Sequence, residues 1–129
     1  YTRQAIINLG LLSETDDAAA VTSSEISAAL GGVIVNECAN VGAVALAVSE
    51  GANEVGTVYR SDVTGFSERL VILENVSSDL TGEVVYPAAQ VKNDQADELE
   101  RNAAADFMLF LVSDQAKEIY RNYQFEVAE

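Results

Sequence analysis

Along this chain, stretches with apolar residues at helical spacing alternate with short unbroken apolar runs. The clearest helical stretch begins at Asn40, a residue suited to an N-cap, and carries Val41, Val44, Ala45 and Val48 on one side. Gly51 suits a left-handed C-cap, and residues 55–59 then read as a short strand ending in Tyr59. Upstream, residues 2–9 read as a helix that Gly10 ends. Residues 13–27, rich in alanine, serine and acids, read as a solvated helix or a long loop. Gly31 and Gly32 break that segment, and the β-branched run 33–35 reads as a buried strand.

Downstream of the central helix, residues 70–73 (LVIL) predict another strand and 74–82 a turn-rich connection. Residues 83–91 predict a long strand in which Pro87 marks an edge, a crossing or a bulge. Residues 97–112 form an amphipathic helical pattern with Leu99, Ala103, Phe107, Phe110 and Leu111 on one stripe. Ser113 caps a second tail helix with Ala116, Ile119, Tyr120 and Tyr123 on its apolar side. Helices alternating with short apolar strands imply an α/β fold around a small, mostly parallel sheet.

Composition narrows the function. The 129 residues are 49% hydrophobic and 22% charged, as in a folded protein with one moderate core. The net charge of −14 argues against nucleic acid and anionic membrane surfaces as partners. No apolar run approaches the length of a membrane span. A single cysteine excludes an intrachain disulfide, and the absence of histidine excludes a Ser-His-Asp triad. No nucleophile–base pair, Gly-rich phosphate loop or metal-ligand cluster is visible, so the expectation is a protein that is not an enzyme and holds no cofactor.

A different chemistry is legible between Asn40 and Asp62. The start of the central helix offers backbone amides aided by the helix dipole, and Tyr59 offers a phenolic hydroxyl. Facing one cleft, these neutral donors suit a small oxyanion, held against an unfavourable overall field. Each group also has an ordinary reading: Tyr59 as a packed strand aromatic, Val41 as the first apolar residue of a helix, Asn40 as its cap. Asp62 and Glu37 read as caps or solvated groups, and Cys38 as a small packed residue.

The blocks YTRQAIINLGL, NVGAVALAVSEGANEVGTVYRSDV, VVYPAAQVKN and AADFMLFLVSDQAKEIYRNYQF, in this order, resemble the C-terminal half of periplasmic molybdate-binding proteins. These are the solute receptors of molybdate ABC transporters, with the type II periplasmic-binding-protein fold of two α/β lobes around an oxyanion cleft. The resemblance covers nearly all of the chain except about 13–32, which looks like an insertion. It implies that residues 1–83 are the second lobe. Residues 84–129 would be a return crossing strand and C-terminal helices that belong to the first lobe, the rest of which would lie upstream.

By the same resemblance, the ligand contacts on this chain are the Val41 backbone amide and the Tyr59 hydroxyl, with Asn40 supporting the site as helix N-cap. The implied ligand is molybdate or tungstate and the implied partner an ABC-transporter permease. The implied location is periplasmic or extracellular, with membrane anchoring through the upstream segment. Alone, the chain is expected to bind molybdate negligibly at micromolar concentrations. Its tail helices would dock on the lobe or bury Phe107 and Phe110 in a homo-oligomer. Two alternatives stay open: a cytoplasmic oxyanion-sensing domain of a transcriptional regulator, and an acidic interaction module without a ligand.

Overall fold

The helices of this chain begin and end where local hydrogen bonding dictates. A computed structural model describes residues 1–127. Seven α-helices occur among them: α1 (Thr2–Asn8), α2 (Ser23–Ala29), α3 (Val41–Ser49), α4 (Arg60–Val63), α5 (Ser78–Thr81), α6 (Glu98–Leu111) and α7 (Asp114–Asn122). Short 3₁₀ turns lie at Ala18–Ala20 and Thr64–Phe66. The side chains of Thr22, Asn40, Asp97 and Ser113 each accept a backbone N–H of the helix that follows. Each thereby satisfies one of the amides that a helix start leaves without an intrahelical partner. At α2 and α6 the cap is reciprocal, because Glu25 and Glu100 reach back to the cap residue's own N–H.

The stops are as local as the starts. Beyond α3, Gly51 at φ +77° donates to the Val48 carbonyl and Ala52 to the Ala47 carbonyl. This pair of bonds forms a Schellman closure and needs a left-handed residue at Gly51. Gly10 and Gly31 close α1 and α2 with the same bonds. Gln124, at φ +66°, takes that position after α7 although it carries a side chain.

The expected α/β fold does not form. Among the described residues there is no strand and no sheet, and the regular structure is helical throughout. Residues 33–35, 55–59, 70–73 and 83–91, all expected as strands, run without ladder partners. The second lobe of a two-lobed binding protein, with its parallel sheet and crossing strand, is therefore not the architecture observed. The physical reason lies in what each element requires. A helix closes its hydrogen bonds within one segment, whereas a strand needs a second segment to receive its N–H and C=O groups. β-Branched composition reports fitness for a half-buried pleated surface, and here that surface is absent. Ile34 is 86% exposed, so the run 33–35 does not form the buried strand expected of it, and Val71 and Val91 are 82% and 80% exposed.

The chain divides into two compact units, Tyr1–Val84 and Val85–Glu129. In the first, α1 packs on α5 and on the first 3₁₀ turn, and α3 packs on α4. Its buried side chains are Ala5, Ile7, Ile26 and Ala45. The segment returning from Gly51 lies on α3 so closely that a Cβ on Gly56 would sit 2.6 Å from Val44 Cγ1 and 3.0 Å from Val48 Cγ2. In the second unit, α6 packs on α7 over the buried Ala116. Tyr120 donates its hydroxyl to the Leu111 carbonyl, and Tyr86 meets Phe125 edge to face at 5.4 Å. Phe107 and Phe110 stack on each other at 6.4 Å on the α6 surface and stay substantially exposed.

Candidate functional site

The N-terminus of α3 is built by Asn40. Its backbone is extended, at φ −160° and ψ 169°, and its carboxamide oxygen accepts the Ala43 N–H at 2.9 Å. Val41 and Gly42 precede the intrahelical ladder, so helix geometry supplies no acceptor for their amides. The aligned peptide dipoles of the nine-residue helix add positive potential at the same end. A side chain on Gly42 would crowd Asn40 Oδ1 at 3.3 Å, so the bare α-carbon suits the cap geometry.

Tyr59 is brought to α3 by the packing of Gly56. From Gly51 the chain doubles back along the helix, passes Val48 and Val44 at Gly56, and reaches Tyr59 three residues later. Tyr59 is the N-cap residue of α4, the helix packed against α3. Its backbone N–H donates to Asp62 Oδ2 at 3.1 Å, which makes Asp62 a cap. The Tyr59 ring is half-buried and meets the Tyr1 ring edge to face, with centroids 6.2 Å apart and planes at 74°.

Sequence reasoning missed the neighbours that the first turn of α1 supplies. Thr2 and Thr57 share a hydroxyl–hydroxyl bond of 2.8 Å across 55 residues of chain. Arg3 donates from Nε to the Val21 carbonyl at 2.7 Å and from its terminal nitrogen to Glu37, which also accepts from the Ser23 hydroxyl. Glu37 is thus an ion-pair partner and not merely a solvated group. Cys38 is exposed rather than packed. Side-chain polarity at 1–3 was visible in the sequence, but nothing local linked it to residues 37 and 57.

The arrangement offers neutral donors. No group of three or more metal-ligating side chains occurs among the described residues. No described helix is long and apolar enough to cross a membrane. Two concavities elsewhere, one around 65–69 and one along 87–111, include neither Val41 nor Tyr59. In comparisons with known proteins, no curated protein and no solved structure matches the chain. One family profile does match, that of the bacterial extracellular solute-binding proteins, over residues 8–126. With the match spanning nearly the whole sequence, the chain belongs to that family.

Proposed function

We propose that this chain binds a small tetrahedral oxyanion of the molybdate or tungstate type, as part of a receptor that passes its ligand to an ABC-transporter permease. The observation that carries this reading is the contact of Gly56 with Val44 and Val48, which returns the segment ending in Tyr59 along the helix that Asn40 caps. A dianion at that helix end would take the Val41 amide, with Asn40 holding the neighbouring turn, and the Tyr59 hydroxyl would approach from α4. Neutral donors suit such a ligand because they need no counter-charge within the protein. Family membership supports a solute-binding role in general, and the oxyanion is our assignment.

Binding to this chain alone is weak in this reading. The donors lie on one side, the anion keeps much of its contact with water, and a charge of −14 opposes its approach. A dissociation constant on the order of millimolar follows, since a few water-exposed contacts must offset the cost of association. The test is a titration of the isotope-labelled chain with sodium molybdate, followed by amide and tyrosine chemical shifts. Saturable shifts centred on Val41, Gly42 and Tyr59 are expected. Shifts absent there, or centred on another segment, would overturn the assignment.

A further inference from the structure

We propose that Tyr1, Thr2 and Arg3 act as a brace that sets the position of Tyr59 relative to the start of α3. This deepens the oxyanion reading and rests on it for its functional meaning. Three consecutive residues reach the Tyr59 ring, the segment that leads to it, and the loop that leads to the Asn40 cap. Arg3 holds Glu37, three residues before the Asn40 cap, and anchors the same guanidinium on the Val21 carbonyl. Thr2 holds Thr57, two residues before Tyr59, and Tyr1 lays its ring against the Tyr59 ring.

Chemistry makes the brace specific. The loop 33–40 has no regular structure, and its polar ties to the rest of the chain include Glu37 to Arg3 and Ser23, and the Asn36–Asn53 side-chain contact. The segment 55–58 has no ladder partner, so the Gly56 packing on α3 and the Thr2–Thr57 bond locate it. A short helix whose far end is set in the core by Ala5 and Ile7 supplies a rigid base for both grips. Thr2 and Arg3 are adjacent on α1, so movement of one grip is transmitted to the other. They are positioning residues, since none needs to touch the anion.

The test uses the full chain without ligand first. Thr57→Val removes the hydroxyl and keeps the shape, and Thr57→Ser restores the hydroxyl. Arg3→Gln removes the ion pair, and the double exchange Arg3→Glu with Glu37→Arg restores it. The brace requires cross-talk. Thr57→Val should shift the Val41 and Gly42 amides as well as the Tyr59 ring signals, and Arg3→Gln should shift Tyr59 as well as Val41. The Ser variant and the charge exchange should each return the signals toward the parent. Molybdate affinity, read from the same titration, should fall in Thr57→Val and recover in Thr57→Ser. If each variant moves only its immediate neighbours while circular dichroism shows intact helices, the brace is overturned. Should Arg3→Gln unfold the chain, the Thr57 pair decides alone. A parent chain that ignores molybdate but shows the cross-talk would remove the oxyanion assignment and leave the brace standing.

Discussion

Tyr59 shows how a single side chain separates packing from binding. Its ring packs on Tyr1 and its backbone is fixed by Asp62, so Tyr59→Phe should preserve both contacts. Only the hydroxyl is lost, and a hydrogen bond to a charged group contributes about 1.5–3 kcal/mol. Molybdate affinity should therefore fall roughly ten- to a hundredfold. An unchanged titration curve would make the phenol a packing element. Glu25 carries a prediction in pH. The Thr22 hydroxyl and then the Thr22 backbone N–H hold its carboxyl below the usual glutamate range. A depressed pKa means that the reciprocal cap contributes above the ordinary glutamate range and is lost as acid protonates the group. The Thr22 amide signal should follow that titration, and in Thr22→Val, which keeps the backbone N–H but loses the hydroxyl, the Glu25 carboxyl should titrate closer to the ordinary glutamate range.

The elements of this chain depend on close approach more than on bulk. Gly56→Ala would drive a methyl into Val44 and Val48, two β-branched side chains with little rotamer freedom on a helix. Overpacking of this kind costs about 1–3 kcal/mol, read as a lower urea midpoint. Gly65→Ala is the control, because a methyl there meets nothing within 4 Å and its backbone lies outside the left-handed region. Equal effects of the two changes would mean that 55–58 does not pack on α3. The same contact lays the segment that leads to Tyr59 along α3.

The whole molecule is governed by charge and by a sparse core. The buried apolar residues among those described are Ala5, Ile7, Ile26, Ala45 and Ala116, three of them alanines, so apolar burial gives each helix modest support. Against this stand 21 acidic and 7 basic residues. The ion pairs among the described residues are Arg3–Glu37 and Lys92–Asp94. Exposed pairs contribute about 0–1 kcal/mol each, so salt removes little attraction while it screens a large repulsion. The screening length falls from about 10 Å at 0.1 M to about 3 Å at 1 M. The melting temperature should rise with sodium chloride across that range, and molybdate binding should strengthen until chloride competes. A melting temperature that falls with salt would show that specific ion pairs dominate over the net charge.

What the sequence by itself determined is the set of decisions that a few neighbouring residues can make. Asn40, Ser113 and Asp97 mark helix starts, and Gly10, Gly31 and Gly51 mark stops, because caps and Schellman closures are completed within about six residues. The bacterial solute-binding family is legible in the same linear order of residues. Tertiary structure alone decided the fate of 33–35, 55–59, 70–73 and 83–91, since an apolar run becomes a strand only when another segment accepts its backbone groups. It also decided that Thr2 meets Thr57 and Arg3 meets Glu37. Those contacts join residues 55 and 34 positions apart, and no local periodicity encodes a partner at that distance.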